Sequence, residues 1–77
     1  MKLIPYGKNQ TLLIIQPGQF EVFFSYQTPV CAEIKYKVYA TNKKHSKTTS
    51  KHIHDFINGY IDKPIYKDQS FFDQLVK

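Results

Sequence analysis

Apolar and polar positions alternate with period two in the first half of the chain and with a helical period in the second. Thr11-Leu12-Leu13-Ile14-Ile15 is an apolar, β-rich run that stops at Pro17-Gly18, a strong turn pair. From Gln19 to Tyr26 the pattern alternates. Phe20, Val22, Phe24 and Tyr26 fall on one side, and Glu21, Phe23 and Ser25 on the other. Residues 11–26 therefore predict a β-hairpin. After Gln27-Thr28-Pro29 the alternation resumes. Val30, Ala32, Ile34, Tyr36 and Val38 lie on one side, and Cys31, Glu33, Lys35, Lys37 and Tyr39 on the other. Residues 30–41 are long for one strand. They read either as a single strand or as two joined by a bend near Glu33–Lys35.

Thr41 to Lys47 is polar and loop-like. Beyond it Ile53, Phe56, Ile57 and Tyr60 recur at i, i+3, i+4 and i+7, one apolar stripe of a helix. Thr48 or Thr49 is the expected N-cap, and Gly59 followed by Pro64 should stop the helix near Tyr60 or Ile61. Phe71/Leu75 and Phe72/Val76 have helical spacing, with Ser70 and Asp73 as a weak capping box. A helix that short must dock to persist. The expected fold is α+β, one domain over residues 1–77. A three- or four-stranded antiparallel sheet (about 11–41) packs on one main helix (about 48–60), with a short C-terminal helix (about 69–76). The helical stripe should cover the sheet face lined by Val22, Phe24, Val30 and Ile34.

Composition narrows the function classes. With 77 residues the core is thin and leaves little room for an enclosed active-site cavity. Six Tyr and six Phe supply much of the buried area. Cys31 is the single cysteine, which rules out a disulfide within the monomer and a Cys-rich metal site. It reads as a small core residue in a reducing compartment. The start of the chain leads into no signal-like apolar segment, and Leu12–Ile15 is too short to cross a bilayer. The expectation is a cytoplasmic protein with no membrane contact.

Charge is unevenly placed. The net charge is +5, all basic residues are lysines, and Lys43, Lys44, Lys47 and Lys51 lie in a stretch, 41–54, without an acid. Lysine acts as a point charge for phosphate, whereas arginine forks onto bases. A nucleic-acid partner, DNA or RNA, would thus be held by its backbone.

The first candidate site is this segment: Lys43, Lys44, Lys47, Thr48, Thr49, Ser50 and Lys51 at the start of a helix, whose unpaired N–H groups favour an anion. The bland reading is a capped helix after a solvated loop. The glycines of a P-loop are missing. The second candidate is a sheet face carrying Phe23, Lys35, Lys37 and Tyr39, where rings could stack bases beside lysines. Its bland reading is a satellite core under Phe71 and Phe72. His52 and His54 project about 200° apart on a helix, so no metal site is expected. Ser50 and His54 could touch at i, i+4 but have no orienting carboxylate. No enzyme and no cofactor are expected. An uncovered sheet edge leaves homodimerisation open.

Phe24-Ser25-Tyr26-Gln27-Thr28-Pro29-Val30 followed by Ser46-Lys47-Thr48-Thr49-Ser50-Lys51-His52-Ile53 resembles a small uncharacterised domain of bacteriophage and plasmid proteins. Its pattern is F-S-Y-x-T-P-V, a short hairpin, then S-x-T-T-S-x-H-I, over about residues 9–57. This chain departs from it in Cys31, where alanine is usual, and in lacking a glycine near Lys35. The resemblance transfers no functional residue. It implies an accessory gene of a mobile element, whose products include counter-defence, anti-CRISPR-like inhibitors that occlude a host protein or nucleoprotein. It also implies that the two motifs form one signature, with Tyr26 and His52 placed to hydrogen-bond across the sheet–helix junction. The alternative is a general nucleic-acid-binding protein gripping phosphates with the lysine-rich loop.

Overall fold

A computed structural model describes residues 2–17, 19–60 and 63–76. Gly18 of the expected turn and Ile61, one expected helix end, lie outside the described residues. In chain order the elements are β1 (Lys2–Gly7), β2 (Gln10–Gln16), β3 (Phe20–Ser25), β4 (Thr28–Ile34), β5 (Lys37–Thr41), α1 (Lys47–Ile57), β6 (Ile65–Lys67) and α2 (Gln69–Leu75). Among the described residues the strands form a six-stranded sheet in the order β1-β2-β3-β4-β5-β6. The first five make an antiparallel meander. β6 then returns parallel to β5 across α1, as a parallel pair requires a crossover.

This mixed sheet replaces the expected three- or four-stranded antiparallel one. The two unforeseen strands are both edges. In β1, Leu3 is 66% exposed and Pro5 interrupts the donors, so no inside–outside alternation marks it. Pairing with β2, from Lys2↔Ile14 to Pro5↔Thr11, makes it a strand. β6 has three residues, all exposed, too few to show a period.

The open question over residues 30–41 resolves into two strands. Lys35 and Tyr36 form a two-residue turn with φ of 50° and 69°, the left-handed values a primed hairpin turn needs, without glycine. That turn changes which residues share a face. Ile34 pairs with Lys37, Ala32 with Tyr39 and Cys31 with Ala40, and cross-strand partners point the same way. Alternation carried straight through the turn places Val38 and Tyr39 on the wrong sides.

α1 consequently packs on the face opposite to the one expected. Phe23, Val30, Cys31, Val38 and Ala40 form the core beneath Phe56, flanked by Leu12, Ile53, Ile57 and Tyr60. The Phe23 and Phe56 rings stack at 4.6 Å, and Tyr6 meets Phe23 edge-on at 5.2 Å. A bulge between Phe23 and Phe24 sets Val30 into this core, although it is out of step with Cys31. Burial pushes the Cys31 thiol up to about 12. The other face, where Val22 pairs with Ala32, is closed by α2 with Phe72 fully buried.

Ser46, rather than Thr48 or Thr49, caps α1. The helix ends at Ile57, before the expected Tyr60. There the chain tightens, with Gly59 N–H donating to the Phe56 carbonyl (3.2 Å) and Tyr60 N–H to that of Ile57 (3.1 Å). Tyr60 still reaches the core and donates its hydroxyl to Glu33 at 3.2 Å. Burial, then the nearby Glu33 carboxylate, raises the Tyr60 phenol well above its ordinary range. α2 begins after Asp68, and Ser70 lies inside it instead of capping it.

Candidate functional site

One end of the sheet gathers several segments. The Lys8-Asn9 turn joins β1 to β2, and the Tyr26-Gln27 turn joins β3 to β4. β5 and β6 also finish there, and α1 starts there. Asn9 (φ 60°) and Tyr26 (φ 58°) both take the left-handed conformation. Asparagine tolerates it; for tyrosine it costs roughly 1–2 kcal/mol. The two turns are tied together, because Tyr26 N–H donates to the Asn9 carbonyl at 2.7 Å.

Behind Tyr26 lies a buried polar junction. Ser46 Oγ accepts from Thr49 N–H at 3.2 Å, which starts α1 with Thr49 and His52 turned inward. Ser25 Oγ donates to Thr49 Oγ1 at 3.1 Å and sits 2.7 Å from His52 Nδ1. The ring tautomer sets whether Nδ1 donates to Ser25 or accepts from it, and in either case Nε2 has no hydrogen-bond partner among the described residues. Ser25, Thr49 and His52 are 1%, 7% and 7% exposed. The two sequence motifs thus meet in space. The expected Tyr26–His52 hydrogen bond is replaced by a ring contact at 6.0 Å, and Ser25 takes the bond. Ser25 and His52 have the separation of a nucleophile and base, but the hydroxyl is buried and no carboxylate is bonded to His52 among the described residues.

In front of this junction is an open cleft of about 440 Å³. Lys8, Asn9 and Gln10 line one wall, Tyr26 and His52 the back, and Thr48, Lys51 and Asp55 the helix side. A second hollow of about 550 Å³ shares Asn9 and Tyr26 and adds Thr11, Gln27 and Thr28. Thr48, Lys51 and Asp55 share one stripe by helical spacing, i, i+3 and i+7.

The first candidate set is therefore divided. Thr48 and Lys51 line the cleft. Thr49 is buried in the junction. Lys47 and Ser50 are exposed on α1 but do not line the cleft, and neither does His54. Lys43 and Lys44 are exposed on a loop held at its start. Asn42 N–H donates to the Lys67 carbonyl (2.9 Å), and Lys43 N–H to Thr41 Oγ1 (3.2 Å). Beneath that loop Gln69 is a hub. Its Nε2 donates to the Pro29 carbonyl (2.6 Å), and its Oε1 accepts from Thr41 (2.9 Å) and lies 3.0 Å from His45 Nε2. His45 therefore helps dock α2.

The second candidate set does not share a surface. Phe23 is fully buried under α1. Tyr39 is on the opposite face, 5.4 Å from the Phe71 ring. Lys35 is in the β4–β5 turn and Lys37 starts β5. The satellite core under α2 accounts for Tyr39 but not for Phe23. Sequence reading missed Lys8, Asn9, Gln10 and Asp55. The signal for the first three was Asn9, a residue suited to a tight turn, but only the pairing with β1 shows that a turn is there.

Lysines dominate this end of the molecule: Lys8, Lys43, Lys44, Lys47, Lys51 and Lys67 come from segments that converge on it. Two nearby acids are engaged, Asp68 by Asn42 Nδ2 (3.3 Å) and Asp73 by Gln69 Nε2 (3.1 Å). Among the described residues no three His, Cys, Asp or Glu side chains converge, and no helix is long and apolar enough to cross a membrane.

Fold and site together define a small mixed-sheet α+β domain with an open polar cleft at a lysine-rich end. The chain belongs to a family of unknown function, DUF8033, which it matches over residues 1–74. Comparison with curated proteins and with solved structures finds no match.

Proposed function

We propose that this is a non-enzymatic binding protein that grips the phosphates of a nucleic acid with the lysine-rich end of its sheet. The supporting observation is the convergence of Lys8, Lys43, Lys44, Lys47 and Lys51 beside the start of α1, with the neighbouring Asp68 and Asp73 carboxylates already hydrogen-bonded. No acid stands in the first turn of α1 to offset its positive end. Binding of this kind releases counterions, so affinity falls linearly in log–log form with salt. For about four contacted phosphates on a single strand the loss between about 50 and 200 mM salt is roughly 50-fold. Fluorescence anisotropy with labelled single- and double-stranded DNA and RNA measures it. Replacing Lys43, Lys44 and Lys47 by Glu should flatten the slope and weaken binding to every sequence alike. Absence of binding to any strand at about 50 mM salt ends this reading.

The resemblance to phage and plasmid domains supports a second reading, a counter-defence inhibitor that occludes a host protein or nucleoprotein. The two motifs on which it rests meet at Ser25, Thr49 and His52, directly behind the cleft. A pull-down from host lysate tests it. A stable partner lost on the same triple Glu substitution would place that interface on the lysine-rich loop, and recovery of no partner would count against it.

A further inference from the structure

We infer that the cleft holds a 5′-phosphorylated nucleotide, with its phosphate between Lys8 and Lys51 and its base against Tyr26; this rests on the nucleic-acid reading above. Four observations carry it. Lys8 and Lys51 come from different elements, face one hollow, and are paired with no carboxylate among the described residues. His52 is 7% exposed, lines that hollow, and uses only Nδ1 internally, so its Nε2 is unpartnered toward the cleft. A ring nitrogen left free at the cleft surface in this way suits a phosphate group, as donor to its oxygen or acceptor from a P–OH according to the tautomer. Thr48 adds a hydroxyl in the first turn of α1, where the backbone also favours an anion.

Tyr26 is the fourth. A left-handed backbone, fixed by the bond to the Asn9 carbonyl, holds its ring half-exposed beside His52. Strain on a bulky residue persists where its surroundings fix it, and such positions cluster at ligand sites. An exposed aromatic beside lysines stacks bases irrespective of sequence. The volume, about 440 Å³, is that of a small-ligand cleft. From Thr48 to Asp55 α1 rises about 10 Å, which separates a phosphate end from a sugar and base end where the Asp55 carboxylate can accept from hydroxyl or amino groups.

The nucleotide could be free or could be the 5′ end of a strand, and one set of titrations separates these sources. The full chain, ¹⁵N-labelled, is titrated with adenosine monophosphate, adenosine and inorganic phosphate and followed by NMR. In parallel, short single strands with a 5′-phosphate or a 5′-hydroxyl are compared by anisotropy. The expected result is saturable shifts of Lys8, Tyr26, Lys51 and His52 with the monophosphate, much weaker shifts with adenosine, and at least tenfold preference for the 5′-phosphorylated strand. Lys8→Gln with Lys51→Gln should abolish that preference. Tyr26→Asn, which keeps the backbone conformation, should weaken the monophosphate at least fivefold while the spectrum stays folded. Equal binding of both strands with no saturable shift by the monophosphate overturns this inference and leaves the phosphate-gripping function standing. Saturable monophosphate shifts without strand binding overturn that function and keep the cleft as a free-nucleotide site. Identical shifts with adenosine overturn the phosphate placement.

Discussion

Replacing Phe23 by alanine tests the arrangement of the whole domain, because the position of this ring decides which sheet face is core. Phe23 is fully buried, stacked on Phe56 at 4.6 Å and met edge-on by Tyr6 at 5.2 Å. Truncating a buried phenylalanine costs about 3–5 kcal/mol, from lost transfer energy plus the cavity left behind. Aromatic pairing adds about 0.5–1.5 kcal/mol beyond area, so the upper part of that range applies. The total stability expected for a chain of this length is roughly 4–12 kcal/mol. Phe23→Ala should therefore remove a large share of it, read as a lower midpoint in urea by far-ultraviolet circular dichroism. Should that variant not fold, Phe23→Leu keeps the measurement, with an expected loss of about 1–2 kcal/mol. Leu3→Ala, at a side chain 66% exposed, is the control and should change stability by less than about 0.5 kcal/mol. A Phe23→Ala loss below about 1 kcal/mol would refute the packing of α1 on this face. It would return Phe23 to an open surface, with Lys35, Lys37 and Tyr39 as its neighbours in function.

Other consequences are as direct. Lys35→Asn with Tyr36→Gly suits the two left-handed turn positions and should stabilise the protein by about 1–2 kcal/mol in the same urea titration. Gln69→Ala removes the links to Pro29, Thr41 and His45, so amide exchange should accelerate in α2 first, with a loss of about 1–3 kcal/mol. Cys31, fully buried and with its thiol raised from 9.0 to about 12, should resist thiol reagents in the folded state and react on unfolding. The same shift has a sign for stability. Above pH 9 the unfolded thiol ionises while the folded one does not, so stability should fall as pH rises from 9 to 12, by at most about 1.4 kcal/mol per unit. The raised Tyr60 phenol acts in the same direction at still higher pH.

The two motifs that suggested a phage-like relative prove to be one packing unit. Ser25 from the first meets Thr49 and His52 from the second, and Pro29 offers its carbonyl to Gln69. The cleft is built on the outside of this junction of sheet and helix. The residues suggested first for function were those with conspicuous chemistry, the lysines and hydroxyls of 43–51. Of these only Thr48 and Lys51 line the cleft. Its remaining wall comes from Lys8, Asn9 and Gln10, whose sequence neighbourhood shows no periodicity to draw attention to it.

Local pattern was sufficient where apolar residues were dense. The hairpin of β2 and β3 is legible as apolar, β-rich runs bounded by turn residues, and the amphipathic α1 and the docking aromatics of α2 as helical spacing of their buried residues. Edge strands β1 and β6 bury little, so their conformation comes from backbone pairing with β2 and β5 and leaves no hydrophobic signature. Face assignment likewise escaped the pattern. A two-residue turn at Lys35-Tyr36 and a bulge beside Phe23 each shift parity, and neither carries the glycine that would announce it. The cleft depends on both. It needs β1 paired with β2 to present Lys8, which is backbone pairing without a side-chain signature, and α1 on the Phe23 face to present His52, which is packing over a long sequence separation.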